Sequence, residues 1–278
     1  MRWGGPAKAG HYVRVVTLFL CGVALVVCGL AVVSADQGGA RSPSAARVRV
    51  AAASDLKFAL DEAIGRLRGR APALDVQVTY GSSGTMHAQL RQRAPYDLFL
   101  SADIDYPRDL IARGIGTERD LFTYAVGRIV VWVPTTSTLP VEREGIRVLD
   151  RAQRIAIANP RHAPYGRAAE AAMRRAGIWE RVQPRLVLGE NVAQASQFVQ
   201  SGAAQAGVIA KSLAIAPAMR GAGRYWEVPV EMYPTLTQGG LILPWTSTRA
   251  GATRVRDFLL SDEGRALLEA NGFGLPAR

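Results

Sequence analysis

Val50-Ala-Ala-Ala-Ser-Asp-Leu-Lys57 joins two different periodicities. Before it, Arg47 to Ala53 is an unbroken strand-like run. After it, Leu56, Ala59, Leu60, Ala63, Ile64 and Leu67 recur at three- and four-residue spacing, the stripe of an amphipathic helix. Ser54 and Asp55 stand at the junction, where a helix start exposes backbone N–H groups and a partial positive charge. The same design returns at Tyr80-Gly-Ser-Ser-Gly-Thr85, Ala163-Pro-Tyr-Gly-Arg167 and Leu188-Gly-Glu-Asn-Val192. Several helix starts aimed at one point form an anion site without any Lys or Arg.

Outward from this junction, apolar runs keep alternating with helical stripes, the signature of an α/β fold with mixed, mostly parallel sheets flanked by helices. Leu74 to Tyr80 reads as a strand, Thr85 to Arg93 as a helix and Asp97 to Ser101 as a buried strand. Tyr124 to Val133 reads as the strand that carries the chain into a second lobe. There the strands are Arg154 to Ala158, Arg185 to Leu188 and Ala206 to Ala210, with helices over Pro164 to Ala176 and Asn191 to Gln200. Pro217 to Gly223 interrupts the pattern, and Val228 to Leu243 supplies strand material that returns to the first lobe. Thr248 to Leu260 and Asp262 to Asn271 read as helices. The expected architecture is two lobes, residues 47–125 with 230–278 and residues 126–229, joined by two crossings. Ligands of such sheets bind beyond the carboxyl ends of the strands, here in the cleft between lobes.

The amino-terminal stretch differs in kind. Arg2, Lys8 and Arg14 precede an uncharged, mostly apolar run from Val15 to Val33, followed by Ser34-Ala35. This pattern predicts a secretory signal peptide over residues 1–35. A retained membrane anchor is the alternative, because the run approaches the length of a bilayer span. Small polar residues over 36–46 read as a flexible leader. The expectation is a periplasmic or otherwise extracytoplasmic protein, either free or tethered. Both cysteines, Cys21 and Cys28, fall in the leading segment, so cysteine nucleophiles and thiolate metal sites are excluded from the exported part. Loss of Arg2, Lys8 and Arg14 lowers the formal net charge from +11 to +8. Such a surplus attracts small anions. Its scattered placement, without interleaved aromatic residues, argues against nucleic-acid binding.

Each helix start also has a purely local reading. Ser54 suits an ordinary N-cap, Gly81-Ser82-Ser83-Gly84 a tight turn, Pro164 a first helical turn, and Glu190-Asn191 a helix dipole. Their occurrence as two per lobe favours a shared ligand. A fully deprotonated tetrahedral oxyanion only accepts hydrogen bonds, so a cavity presenting hydroxyl and backbone N–H donors suits such an ion.

Taken with Ala94-Pro-Tyr-Asp-Leu-Phe-Leu-Ser-Ala-Asp103 and Asn159-Pro-Arg-His-Ala-Pro-Tyr-Gly166, these segments closely resemble the periplasmic molybdate-binding proteins of ABC importers, over about residues 47–276. The resemblance implies a two-lobe, type II periplasmic-binding-protein fold. It also implies capture of molybdate or tungstate and delivery to a membrane permease, with no reaction catalysed, no further cofactor or metal, and a monomeric carrier. Carried over by position, Ser54 and Ser83 are ligand serines, with Asp55 and Ser82 adjacent, Tyr165 at the Pro-Tyr-Gly position, and Val192 as a backbone donor. Where some members place a tyrosine, this chain has Ala210, and the Tyr165 hydroxyl is expected to substitute for it.

Asp55 is awkward, because a carboxylate in the site repels a dianion. The expectation is a first-turn acid with its carboxylate turned outward. Sulfate or phosphate binding is the alternative of the same class, and a protonated phosphate would accept Asp55 as a partner. A secreted serine hydrolase using Ser82 or Ser83 with His87 or His162 is the alternative of another class. Against it, the Gly-x-Ser-x-Gly elbow is absent, and His87 and His162 offer no metal-ligand pair at helical spacing.

Overall fold

Side chains alternate across a strand, and burial along the first one shows how its sheet is clothed. In β1 (Val48–Ala53), Val48, Val50 and Ala52 enter one apolar cluster and Ala51 the opposite one. The computed structural model describes residues 47–277, and the expected signal peptide and leader lie outside the described residues. After β1 come a short 3-10 turn (Ser54–Leu56), α1 (Lys57–Arg70), β2 (Val76–Gly81) and α2 (Ser83–Arg91). β3 (Leu98–Ser101), α3 (Asp105–Ala112) and β4 (Leu121–Gly127) follow. A second series holds β5 (Ile129–Pro134), α4 (Val141–Glu144), β6 (Ile155–Ala158), α5 (Pro164–Arg175) and α6 (Trp179–Val182). It continues through β7 (Leu186–Gly189), α7 (Val192–Gln200), β8 (Ala206–Ala210), α8 (Lys211–Ala214) and β9 (Gly223–Glu227). Last are β10 (Leu236–Ile242), α9 (Arg249–Leu260) and α10 (Asp262–Ala270).

Two five-stranded sheets result, ordered β2-β1-β3-β10-β4 and β7-β6-β8-β5-β9. They share one plan. Three strands run parallel, the fourth is reversed, and the outermost pairs antiparallel with the fourth, so four of the five point the same way. The reversed strand in each sheet, β10 or β5, is the one by which the chain enters from the other lobe. On the first sheet, α1, α9 and α10 bring Leu60, Val255 and Leu268 to one face, while α2 and α3 bring Met86, Leu90 and Leu110 to the other. The second lobe packs around Trp132, Ile157, Met173 and Val199.

The structure corrects three element readings. Tyr124 to Val133 is two strands broken at Arg128. Val126 and Gly127 still pair with Thr237 and Leu236 in the first sheet, so that lobe runs past residue 125. Gly127 is crowded, since a Cβ there would stand 3.0 Å from Leu236 Cβ and 3.1 Å from Tyr165 Cζ. Val228 to Leu243 contains strand only over Leu236–Ile242, since Pro229 and Pro234 cannot donate to a ladder. Strand β9 and helix α3 were not anticipated. In α3 only Pro107 and Leu110 are buried, too short a stripe to show helical period.

Candidate functional site

The carboxyl ends of β1 and β2 from one lobe face those of β6 and β7 from the other, and each hands the chain to a helix start. Ser54 and Asp55 occupy the 3-10 turn after β1. Ser82 precedes α2 and Ser83 opens it. Pro164 opens α5, where its missing N–H costs nothing, and Tyr165 follows. Asn191 caps α7 by accepting the Gln194 N–H at 3.1 Å, and Val192 is the first helical residue. A small cavity of about 10 Å³ lies among them, and Ser54, Asp55, Ser82, Ser83, Tyr165 and Val192 all line it. No Lys or Arg does.

Hydrogen bonding separates the three serines. Ser83 Oγ accepts the Ala102 N–H at 2.9 Å, and Ser54 Oγ accepts the Ala193 N–H from the opposite lobe at 3.4 Å. Accepting leaves each hydroxyl proton available to donate elsewhere. Ser82 instead donates to the carbonyl oxygen of His162 at 2.8 Å, so its proton is engaged across the cleft. That carbonyl also receives the Gly84 N–H at 3.0 Å and the Tyr106 hydroxyl at 3.2 Å. An ion pair between Arg167 and Asp103, and a bond from Ser212 Oγ to the Asp55 carbonyl at 2.9 Å, add further ties between lobes.

The hydrolase pairing meets a physical obstacle. His162 Nδ1 does stand 3.0 Å from Ser82 Oγ, but the serine proton already goes to a backbone carbonyl, and an engaged hydroxyl is no poised nucleophile. His87 turns away to Asp109 at 2.7 Å.

Asp55 overturns its expectation. Its carboxylate turns inward, and the residue is 1% exposed. Oδ2 accepts the Tyr165 hydroxyl at 2.8 Å and Gln238 Nε2 at 2.5 Å, while Oδ1 has no hydrogen-bond partner. The turn that carries it packs against α7 and α8 of the opposite lobe. The Tyr165 hydroxyl is therefore directed at Asp55, which corrects the expectation that it replaces the donor absent at Ala210. Gln238 was missed altogether. Its signal was a lone amide in the apolar run Leu236-Thr-Gln-Gly-Gly-Leu-Ile242, where a buried polar side chain needs a partner.

Burial pushes the Asp55 carboxyl up from 3.8 to about 6, with the Gln238 and Tyr165 donors and the backbone N–H groups of Asp55 and Leu56 pulling the other way. Burial and the neighbouring Asp55 charge raise the Tyr165 hydroxyl well above its ordinary value, keeping it neutral. A raised carboxyl opposes folding wherever the unfolded chain is ionised. The cost begins above the unfolded value near 3.8 and is complete above about 6. Asp55→Asn is therefore expected to stabilise the protein at pH 7.5 by about 3 kcal/mol, at about 1.36 kcal/mol per unit. The gain should vanish by pH 4. Denaturant titrations of both proteins at the two pH values check this, and an equal difference at both would contradict it.

Comparison with known proteins places the chain among solute-binding proteins. The family described as bacterial extracellular solute-binding protein matches residues 48–274. The molybdate-binding protein ModA of Rhodobacter capsulatus is 32% identical over 210 residues, covering 76% of this chain and 81% of that one. ModA of Azotobacter vinelandii is 31% identical over 234 residues, covering 83% and 91%. The solved periplasmic molybdate-binding protein of Azotobacter vinelandii superimposes with a TM-score of 0.77 at 30% identity, covering 83% of this chain and all of that one. With its two lobes, its matched sheets and a cleft lined by helix starts, the chain belongs to the bacterial extracellular solute-binding protein family.

Proposed function

We propose that this protein captures molybdate, and with it tungstate, outside the cytoplasm and delivers the ion to the permease of an ABC importer. One observation carries the reading. Four strand-to-helix junctions from two lobes converge on one cavity whose lining offers hydroxyl and backbone N–H donors but no cation. Neutral donors match an ion that only accepts hydrogen bonds, and they leave no buried counter-charge behind when it departs. Ser54, Ser83 and the backbone of Tyr165 and Val192 are the residues we assign to the oxygens, with Ser82 and Asp55 beside them. Admitting a tetrahedral ion to so small a cavity requires the lobes to part, which breaks hydrogen bonds and an ion pair across its rim. The relatives' molybdate-binding names support the choice of ion. Binding and release by a hinged shell need no catalysed step and no further cofactor, and a monomer suffices because both lobes come from one chain.

Calorimetry of residues 36–278 with molybdate, tungstate, sulfate and phosphate in turn tests the assignment. Molybdate and tungstate should bind far more tightly than the other two. Ser54→Ala and Ser83→Ala are each expected to weaken molybdate by about 1 to 3 kcal/mol, the usual loss for a donor to a charged group. Unchanged affinity in both variants would remove these serines from the site.

A further inference from the structure

The proposed cargo is a dianion, yet the cavity holds a buried acid. Asp55 lines it, is 1% exposed, and has one carboxyl oxygen without a partner. Oδ2 is fully occupied by the Tyr165 hydroxyl and the Gln238 amide, so a proton taken up by the side chain belongs on Oδ1. There it creates an O–H donor, whereas an ionised Oδ1 offers only an acceptor to an ion that cannot donate. Neither neighbour can supply a counter-charge.

The surroundings deepen this asymmetry. α5 contributes Tyr165, β4 contributes Tyr124, and burial keeps both phenols neutral. On α1, Lys57 is taken by Asp61 at 2.9 Å, and on α8, Lys211 is taken by Glu227 at 2.6 Å. The α7 segment facing the turn has no titratable side chain. Arg167, further along α5, pairs with Asp103. No salt bridge among the described residues therefore offsets a negative Asp55.

Resting on the molybdate reading above, we infer that Asp55 binds the oxyanion as a neutral acid, donating Oδ1–H to one of its oxygens, so that each ion captured above neutral pH brings one proton into the site. Molybdate is already fully deprotonated there, so the proton comes from solvent and stays on Asp55. No bond of the ion is made or broken. Before the ion enters, burial outweighs the donors and holds the carboxyl at about 6, and a dianion beside it moves it further in the same direction. Affinity is then greatest at the acid end of the range and declines as pH rises, because the free protein must first reclaim the proton. This makes Asp55 a determinant of specificity as well. A ligand carrying its own proton, such as hydrogen phosphate, can donate to an ionised Asp55 and escapes the penalty.

Titration calorimetry of molybdate into the wild-type protein at pH 7.5, in buffers of different ionisation enthalpy, reads the proton count directly. The expected result is uptake of close to one proton per ion. Between pH 6.5 and 8.5 the Kd should rise by close to tenfold per pH unit, while in Asp55→Asn, whose amide donates at every pH, it should change less than about threefold. A wild-type protein that binds molybdate with no proton uptake and a flat Kd overturns the inference while leaving the molybdate assignment intact. Failure of both proteins to bind molybdate at any pH, or tighter binding of phosphate than molybdate at pH 8, overturns the assignment itself and the inference with it. The wild-type proton count does not depend on how well the variant folds.

Discussion

Gly84→Ala is expected to leave the protein folded and to weaken molybdate binding by about 3 kcal/mol, roughly a hundredfold. Gly84 lies in the first turn of α2, and its N–H donates to the His162 carbonyl of the opposite lobe at 3.0 Å. An added Cβ would fall far inside contact with that same carbonyl oxygen, at 3.0 Å from its carbon and 2.7 Å from the Tyr106 hydroxyl. The obstacle is backbone, so no rotamer change removes it. The His162 atoms belong to the other lobe, however, so parting the lobes relieves them, while the Tyr106 hydroxyl, on α3 of the same lobe, moves aside by side-chain rotation. Opening forfeits the bonds from Gly84 and Ser82 to His162, each worth about 1 kcal/mol net, besides the crowding itself at about 1 to 3 kcal/mol. Within α2 alanine favours the helix over glycine by about 1 kcal/mol, which offsets part of the forfeited bonds, so the unliganded protein should melt only a few degrees lower. Calorimetry gives the affinity, and small-angle scattering gives the lobe separation. A Kd within threefold of wild type would mean that His162 and α2 do not close against each other in solution.

His162 also shows where sequence reading reaches its limit. The helix starts that carry Ser54, Ser83, Tyr165 and Val192 were legible because each marks a local event, the change from strand to helix, that leaves its trace in neighbouring residues. The order of strands and helices was legible for the same reason, and α5 and α7 start within a residue of where periodicity placed them. The inward turn of Asp55 was not. Nothing within several residues of it distinguishes a first-turn acid facing water from one facing Tyr165, because the deciding partners stand 110 and 183 positions away. The clamp on the His162 carbonyl was equally hidden, since three donors from α2, its preceding residue and α3 converge on a backbone atom that has no side-chain signature. The break at Arg128 failed for a subtler reason. Two buried strands in series look like one long strand until it is known that the sheet changes between them.

Gly166→Ala should produce the opposite division between folding and binding, with a loss of about 3 to 4 kcal/mol of stability and a drop in the melting temperature of roughly 6–16 °C for a domain of this size. Gly166 follows Tyr165 in the first turn of α5, and that turn lies directly on the end of β6. A Cβ there would penetrate the Ala158 carbonyl oxygen and stand 2.8 Å from both the Ala158 carbon and the Pro160 nitrogen. All three atoms belong to the same lobe as Gly166, so hinge motion brings no relief. The helix start must instead lift off the sheet, carrying Tyr165 with it. Asp55 then loses its Tyr165 donor at 2.8 Å, and the lobe-two side of the cavity loses its shape, so molybdate affinity should fall at least tenfold as well. The two glycines therefore separate the forces at this site. One clash lies across the cleft and is felt mainly in affinity, whereas the other lies beneath the cleft and is felt in both quantities. Melting curves and titrations on the pair decide the matter. If Gly166→Ala lost affinity at full thermal stability, the close packing of α5 on β6 would not be what positions Tyr165.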